Sequence, residues 1–269
     1  MIRIVEPGWA TTVQDHGRIG LAHLGVPRAG AVDRPAHDLV NRLVGNAVQD
    51  ATIETAGGLV IEAAGPLIVA TSDGTRHTLR PGTRLRVDPQ PDRVWAYLAV
   101  RGGLDVSVVL GARSHDTLAG IGPAPIVAGA VLPVGPDPQT ELTTDYAPTR
   151  ALAEAVRVTP GPEADWFEGG TEQITARSWR VSGHVSRVGV RFESGSWTRT
   201  PAAHDQLASF GLVEGAVQVT PRGEAIVMLA NHPTTGGYPV IAVVDAGDLA
   251  AVAQTRPGSS LRFVASSIA

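Results

Sequence analysis

The amino-acid sequence predicts a mainly β fold, and three observations support this prediction. Short apolar runs that are rich in Val and Ile recur along the 269-residue chain. Gly and Pro, at 31 and 20 residues, supply frequent turn signals between these runs. The hydrophobic content of 43% is high enough for a sizeable core. Because the runs are irregularly spaced, they favour barrels or sandwiches over a repeated β-α-β arrangement.

The predicted strands are short, and they are bounded by Gly, Pro, Asp or Asn. In chain order they cover Leu59–Ala63, Leu67–Ser72, Arg84–Val87, Trp95–Val100, Arg157–Val158, Trp179–Ser182, Val188–Phe192, Ala216–Val219, Ala225–Ala230, Val240–Val244 and Leu261–Val264. Their distribution indicates that β structure continues through both halves of the chain.

Two helices interrupt this pattern. From Pro35 to Val44 the apolar residues recur at the spacing of one helical face, with Asp33 as the N-cap and Gly45 at the C-terminal end. The second predicted helix covers residues 247–254, and a Pro-Gly pair follows it. The fold is therefore expected to contain only a few short helices.

The best candidate for a linker is the polar, Pro-containing stretch Pro133–Arg150. It predicts two domains, residues 1–145 and residues 146–269, each with strands and one helix. No repeat of fixed period is visible, although two related barrels would be compatible with this division.

Composition excludes several kinds of chemistry. The chain has no Cys, which excludes disulfides, thiolate metal sites and Cys nucleophiles. All 22 basic residues are Arg, so no Lys is present to form a Schiff base or carry biotin. The net charge of −4 argues against nucleic acid as a partner. Neither a signal peptide nor a membrane helix is predicted, and a cytoplasmic location is the default expectation.

Three polar, Gly-rich segments are candidate functional regions. The first contains Gln14 and Asp15 and continues to Asp33, where a helix N-terminus could hold a carboxylate or oxyanion. The second is the first predicted helix, in which Asn41 lies at the edge of the apolar stripe. From there its side chain would hydrogen-bond either to a neighbouring loop or to an amide-like ligand. The third, residues 231–239, is longer than a plain hairpin connection and contains Gly236 and Gly237, which permit close approach of a ligand.

Metal binding is not predicted from the sequence. The eight His residues are scattered, and no pair has metal-ligand spacing beside a carboxylate helix. His16 and His23 are seven residues apart in a turn-rich segment, and we interpret them as solvated or hydrogen-bonded. Because Lys is absent, an anion site would depend on Arg or on backbone N–H groups.

Further segments extend these motifs along essentially the whole chain. They are TTVQDHGRIG (Thr11–Gly20), LGVPRAGAVD (Leu24–Asp33), NRLVGN (Asn41–Asn46), IETAGG (Ile53–Gly58), YLAVRGGLD (Tyr97–Asp105), LGARS (Leu110–Ser114), TPGPEADWF (Thr159–Phe167), SRVGVRF (Ser186–Phe192), GAVQVTPRGEAIVML (Gly215–Leu229), TTGGYP (Thr234–Pro239) and the end from Gly247 to Phe263. In this order they resemble the allophanate hydrolase subunit 2 family, also described as KipA-like or biotin-dependent carboxyltransferase-like.

The resemblance implies a fold, partners and cofactors. The fold would be two cyclophilin-like β-barrel subdomains with a few short helices, and strands could be exchanged between the halves. The partner would be a subunit 1 or KipI-like protein, and in 5-oxoprolinase a third protein completes the complex. ATP would be used through that complex. In the related urea carboxylase, biotin is carried elsewhere, so here it would belong to another chain.

Three functions follow from the resemblance. The first is the C component of an ATP-dependent 5-oxoprolinase-type complex, which opens 5-oxo-L-proline to L-glutamate; this component is not expected to be active by itself. The second is the carboxyltransferase half of a biotin-dependent urea or amide carboxylase. The third is a KipA-like regulator that binds a KipI-like partner without turnover. All three predict a partner, so only activity separates them.

Small amides such as a lactam or urea need a donor for the carbonyl oxygen, an acceptor for the N–H group, and stabilisation of the developing oxyanion. For a pocket of this kind, the predicted catalytic residues are Asp33, Arg187 and Tyr238. Asp33 is the best general-base candidate, although a helix cap also explains it. The predicted substrate-binding residues are Gln14, Asp15, Asn41, Thr234, Thr235, Gly236 and Gly237.

The chain departs from the usual family pattern at three places where acidic residues are common. Ser186 precedes the Arg-containing segment, Phe210 follows Ser209 before the Gly-rich turn, and Asn231 begins the loop that leads to TTGGYP. Because carboxylates serve as bases or hold Arg in place, these departures leave room for a different substrate or a non-catalytic role.

Overall fold

A computed structural model describes residues 1–203 and 207–266, and the chain folds as two compact units. Unit 1 contains Met1–Leu21 and Arg28–Ala151, and unit 2 contains Ala22–Pro27 and the chain from Leu152 onward. The predicted domain boundary after residue 145 lies in the irregular segment that ends unit 1. The mainly β fold with few helices is confirmed.

Unit 1 contains nine strands and one α-helix. In chain order these are β1 Ile2–Pro7, β2 Thr12–Gln14, α1 Arg34–Leu43, β3 Thr52–Thr55, β4 Leu59–Ala63, β5 Leu67–Thr71, β6 Thr75–Leu79, β7 Arg84–Val87, β8 Ala96–Val100 and β9 Val131–Leu132. They form a four-stranded sheet in the order β7-β4-β1-β9 and a five-stranded sheet in the order β2-β3-β8-β5-β6. The inward residues of these strands, among them Ile4, Ile61 and Leu98, belong to one hydrophobic core.

Unit 2 is built around a closed barrel. Its elements are β10 Ala155–Pro160, α2 Glu172–Thr175, β11 Ser178–Val185, β12 Gly189–Phe192, β13 Phe210–Gly211, β14 Ala216–Val219, β15 Ala225–Met228, β16 Thr235–Gly236, β17 Val240–Val244, α3 Leu249–Gln254 and β18 Ser260–Ala265. The barrel order is β10-β17-β14-β15-β12-β11-β18, and parallel pairing of β10 with β18 closes it. The separate pair β13 and β16 is antiparallel.

The two faces of the barrel strands differ in their surroundings. Val190 and Phe192 of β12 and Val227 of β15 are fully buried in the barrel interior, where Phe192 packs edge-on against Phe263 at 5.5 Å between ring centroids. Because successive residues of a strand point to opposite faces, Arg191 of β12 points away from that interior. The outer face is therefore free to form a site while the inner face holds the barrel together.

Every apolar run that was predicted as a strand contributes to a strand. The prediction missed β1, β2, β3 and β6, along with the two-residue strands β9, β13 and β16, and the reason is clear in β3. All four residues of β3, Thr52–Thr55, are buried, although three of them are polar. Such a strand has no apolar run for a sequence pattern to detect.

Both predicted helices are present. The first covers Arg34–Leu43, and the Asp33 side chain accepts a hydrogen bond from the Ala36 N–H at 3.0 Å, as expected for an N-cap. Gly45 follows the helix with a φ of 72°, a conformation that favours glycine. The second begins as a 3-10 turn, Ala246–Asp248, and continues as α3. In the described part of the chain, no helix is long and apolar enough to cross a membrane.

Candidate functional site

Unit 2 contains an open pocket of about 580 Å³ on the outer face of the barrel. Residues of β11, β12, β14 and β15 form its wall, and the connection between β15 and β17 forms its other side. The lining residues are Gly183, His184, Val185, Ser186, Val188, Gly189, Arg191, Gln218, Ile226, Met228, Pro233, Gly236, Gly237 and Tyr238. The pocket combines apolar wall residues with a few polar groups, as small-molecule sites do.

Gln218 joins the barrel wall to the loop of this pocket. Its buried side chain projects from β14, and its Nε2 group donates a hydrogen bond to the Tyr238 carbonyl oxygen at 3.1 Å. The same loop pairs with β13, because Phe210 lies opposite Gly236. The Gln218 contact therefore holds the loop to the wall, while Tyr238 remains 45% exposed.

The wall beside β11 has an irregular register. The pairing of β11 with β12 shifts between Val181 and Val185, which is typical of a β-bulge. His184 and Ser186 line the pocket at and after this irregularity. A bulge redirects side chains locally, so it accounts for the polar residues that face the pocket here.

Arg187 does not line the pocket, although its neighbours Ser186 and Val188 do. Its buried guanidinium donates from Nε to Asn231 Oδ1 at 2.6 Å, and the Asn231 N–H donates to the Arg187 carbonyl oxygen at 2.9 Å. Burial lowers the pKa of Arg187 to about 9, although the negative charge of Glu214 acts in the opposite direction. The side chain therefore remains charged at neutral pH, and its described contacts tie the β11–β12 turn to the start of the loop.

The predicted residues of unit 2 occupy different positions relative to this pocket. Tyr238, Gly236 and Gly237 line it. Thr234 is half-buried and Thr235 exposed in the same loop, but neither is a lining residue. The roles predicted for these residues, and for Arg187, stay predictions.

Sequence reasoning missed His184 and Gln218 as pocket residues. Gln218 carried a detectable signal, since it is the one polar residue in the apolar run of β14. His184 carried none, because its position depends on the register shift between two strands.

Gln14 and Asp15 are buried braces in unit 1. Gln14 Nε2 donates to Thr12 Oγ1 at 2.8 Å and to the His115 carbonyl oxygen at 3.0 Å, and within the described residues its Oε1 has no partner. Asp15 accepts from the Gly17 N–H at 2.8 Å, from the Arg113 N–H and from the Ser114 hydroxyl. These bonds join β2 to the segment around residue 114.

Asn41 also braces a loop, which is one of the two roles that its position suggested. Its Nδ2 donates to the Asp50 carbonyl oxygen at 2.8 Å, and its Oδ1 accepts from Asn46 at 3.2 Å. Asn46 in turn bonds to the Val100 carbonyl oxygen at 2.8 Å. The residue is fully buried, so its polar groups connect α1 to the following loop.

The Asp33 cap is held by a buried network. The Asp33 N–H donates to the Tyr97 hydroxyl at 2.8 Å, and that hydroxyl donates to Glu54 Oε2 at 2.6 Å. The same carboxylate oxygen accepts from the Val32 N–H at 3.0 Å, and Arg93 lies 3.7 Å from Asp33 Oδ2. Burial, together with the negative charge of Asp33, raises the pKa of Tyr97 well above 10.0, so the phenol stays protonated as a donor.

A second polar cluster lies between α1 and the loop after β2. His16 Nε2 is 2.8 Å from Asp38 Oδ1, and His37 Nδ1 is 3.2 Å from the same oxygen. Burial alone would raise the pKa of Asp38, but hydrogen bonds from His37 and His16 lower it below its ordinary value. Asp38 is therefore a carboxylate that two imidazoles face.

The family of the chain follows from comparison with known proteins. Residues 24–265 match the carboxyltransferase domain family, subdomains A and B. The chain belongs to this family. The family resemblance inferred from the motifs is thereby confirmed.

Individual relatives agree with this assignment. The C component of the 5-oxoprolinase of Escherichia coli is 33% identical, with 100% of this chain and 92% of that protein aligned. The crystal structure of TTHA0988 superposes with a TM-score of 0.87 at 32% identity and covers 98% of this chain and 55% of that one. The Kluyveromyces lactis urea carboxylase has a TM-score of 0.87 at 27% identity over 99% of this chain and 27% of that one. This chain thus spans about half of the first solved chain and a smaller share of the second.

The Tyr97 network predicts a stability loss on removal of one hydroxyl. Tyr97→Phe should lower the free energy of unfolding by about 1–3 kcal/mol, because Glu54 and the Asp33 N–H both lose a buried partner. Tyr146→Phe, at an exposed tyrosine, should change it by less than about 0.5 kcal/mol. Urea unfolding followed by circular dichroism measures both. Equal stabilities of the two variants would contradict the network.

The raised pKa of Tyr97 also predicts a pH dependence. Above pH 10 the unfolded phenol ionises while the folded one keeps its proton, so stability is lost as pH rises through that range. Tyr97→Phe lacks this group and should lose less stability than the wild type over the same interval. Urea unfolding curves of both proteins below and above pH 10 test this. An equal loss of unfolding free energy in the wild type and in Tyr97→Phe would contradict it.

The two adjacent glycines of the pocket loop should differ in how well they tolerate substitution by alanine. A Cβ atom on Gly236 would lie 2.6 Å from Leu212 Cδ1 and 2.8 Å from Gln218 Nε2, whereas one on Gly237 would meet nothing closer than 3.4 Å. Gly236→Ala should therefore displace Gln218 and destabilise the protein by about 1–3 kcal/mol. Gly237→Ala should change stability by less than about 0.5 kcal/mol in the same urea titration. If both variants had the same free energy of unfolding, the contact would be wrong as a source of strain, because Gln218 could then move aside without loss of stability.

Proposed function

We propose that this chain is the C component of an ATP-dependent 5-oxoprolinase-type complex that opens 5-oxo-L-proline to L-glutamate. The observation that carries the proposal is the alignment with the corresponding 5-oxoprolinase component of Escherichia coli, which extends over 92% of that protein. By contrast, the chain corresponds to 27% of the urea carboxylase chain. The identity to that 5-oxoprolinase component, at 33%, is also higher than the 27% identity to the urea carboxylase.

The unit 2 pocket is the proposed substrate site. A small cyclic amide needs a donor for its carbonyl oxygen, and the exposed Tyr238 hydroxyl is available at the pocket edge. Arg191, which pairs with Glu224 at 3.1 Å, supplies positive charge for a substrate carboxylate. Arg187 acts as a positioning residue, because its bonds with Asn231 hold the turn and the loop that flank the pocket.

A partner protein is part of the proposal. The relative from Escherichia coli is named as one subunit of an enzyme, which implies further subunits there. Unit 1 of this chain offers exposed apolar side chains for such a contact, and these are Val108, Leu110, Leu118 and Val127. Exposed apolar groups that accumulate in one segment are typical of a protein interaction surface. ATP would be bound through the assembled complex.

A second candidate function is the carboxyltransferase part of a biotin-dependent amide carboxylase. The observation that favours it is the similarity to urea carboxylase, with a TM-score of 0.87 over nearly the whole of this chain. In that case carboxybiotin would reach this chain from another protein, because the chain has no Lys to carry biotin. Ser186 lines the pocket where an acidic residue is usual in the family, so the ligand of this pocket can differ from that of relatives.

Reconstitution tests the proposed reaction. The chain is co-expressed with its subunit 1-like and third partners, and glutamate release from 5-oxoproline is measured with and without ATP. We expect ATP-dependent release that disappears when this chain is omitted. A stable complex without glutamate release would contradict the proposal, and carboxyl transfer from carboxybiotin to urea would then support the second candidate. Stable binding without either activity would favour a KipA-like regulator.

Within this assay, substitution of Tyr238 tests the role of a single hydroxyl group in the pocket. Tyr238→Phe should lower kcat/KM for 5-oxoproline about 10-fold, which corresponds to the loss of one hydrogen bond of about 1.4 kcal/mol. Tyr146→Phe is the matched control, because Tyr146 is exposed in unit 1 and lies outside the pocket. Equal rates for the two variants would exclude the Tyr238 hydroxyl from the reaction.

A further inference from the structure

Three potential metal ligands converge in unit 1, in a cluster that plays no part in the proposed reaction. They come from two places in the chain, His16 from the loop after β2, and His37 and Asp38 from α1. One ligand atom from each lies within 4.8 Å of the others. We propose that these three residues bind one divalent transition-metal ion.

The spacing of the ligand atoms supports this proposal. Asp38 Oδ1 lies 2.8 Å from His16 Nε2 and 3.2 Å from His37 Nδ1. Neighbouring ligands of a metal with bonds of about 2.0–2.2 Å are about 2.8–3.6 Å apart in octahedral or tetrahedral geometry. Two of the three pairs of ligand atoms thus have the spacing that one ion requires, and the third pair, between the imidazoles, lies within 4.8 Å.

The chemistry of the cluster also suits a metal ion. Both imidazoles face the same oxygen of Asp38, and the His37 side chain is fully buried. An ion bonded to Asp38 Oδ1, His16 Nε2 and His37 Nδ1 would replace the two hydrogen bonds with metal–ligand bonds. The other oxygen of Asp38 would keep its contact with Arg42, which lies 3.7 Å away.

The ligand set indicates the class of metal. Two imidazole nitrogens and one carboxylate oxygen suit Zn²⁺, Fe²⁺, Co²⁺ or Ni²⁺ better than Mg²⁺ or Ca²⁺, which prefer oxygen ligands. Three protein ligands leave coordination positions for water or a small ligand. Ions have access from solvent, because His16 is partly exposed and Asp38 borders an open cavity of about 490 Å³ that Arg34, Leu39 and Arg42 also line.

Metal titration of the tag-free full-length chain tests the site. The protein is treated with EDTA and dialysed, Zn²⁺ binding is measured by calorimetry, and Co²⁺ binding is measured by visible absorption. We expect one ion per chain and an absorption spectrum of low-symmetry Co²⁺ with nitrogen and oxygen ligands. His16→Gln and Asp38→Asn should each weaken Zn²⁺ binding at least about 10-fold. These readouts need no catalytic activity, so they are independent of the proposed 5-oxoprolinase reaction.

His23→Gln is the matched control, because His23 is exposed and belongs to unit 2. It should bind Zn²⁺ as the wild type does. His16→Gln changes a partly exposed loop residue, so it remains a valid test if Asp38→Asn fails to fold. Absence of binding to the wild type would overturn the proposal. So would weak binding of several ions that His16→Gln leaves unchanged, which would indicate scattered surface histidines.

Discussion

Buried polar groups must find hydrogen-bond partners, and this requirement organises the long connections between the short strands of this chain. The Asp15 carboxylate accepts hydrogen bonds from the N–H groups of residues 17 and 113. The Asn41 side chain donates to the carbonyl oxygen of residue 50, beyond the end of its own helix. Asn46 extends this bracing to the Val100 carbonyl oxygen in β8. Side chains that resemble reactive groups in the sequence are thus used, in unit 1, to hold loops in place.

The same requirement explains Arg187. A buried guanidinium is tolerated only where its N–H groups are bonded, and the amide of Asn231 accepts from it directly. Arg187, which the sequence suggests as an anion-binding residue, therefore also links two loops through its hydrogen bonds with Asn231. Its effect on a ligand would be indirect, through the position of the turn that bears Ser186 and Val188.

Local patterns made part of this fold predictable. The cap at Asp33 and the apolar face of α1 depend on residues within one helix, and the apolar barrel strands depend on runs of a few residues. Strand β3 was missed because Glu54 and its Thr neighbours are buried through hydrogen bonds to distant residues. The outlines of the fold follow from short-range chemistry, while buried polar strands depend on partners that a sequence pattern does not contain.

The candidate sites also divide into features that depend on neighbouring residues and features that depend on distant ones. The loop with Gly236, Gly237 and Tyr238 was recognisable because its composition is unusual for a hairpin connection. Gln218 was detectable as the one polar residue of β14, but its contact with that loop was not, since the contact joins residues 20 positions apart. His16 and Asp38 are 22 positions apart and meet only because the loop after β2 lies against α1.

The alternation of side chains in β12 has a consequence for what a substitution in this strand would change. Val190 and Phe192 hold the barrel interior, whereas Gly189 and Arg191 of the same strand line the pocket. At Arg191 a substitution would change the pocket wall without removing an interior side chain. At Gly189 it would not be so simple, because a Cβ atom there would lie 2.7 Å from the Val227 carbonyl oxygen. Ser186, Phe210 and Asn231, the positions that differ from the usual pattern, all lie in or beside the segments around this pocket. The pocket wall and the barrel interior are thus carried by different side chains of one strand, and they meet at the backbone of Gly189.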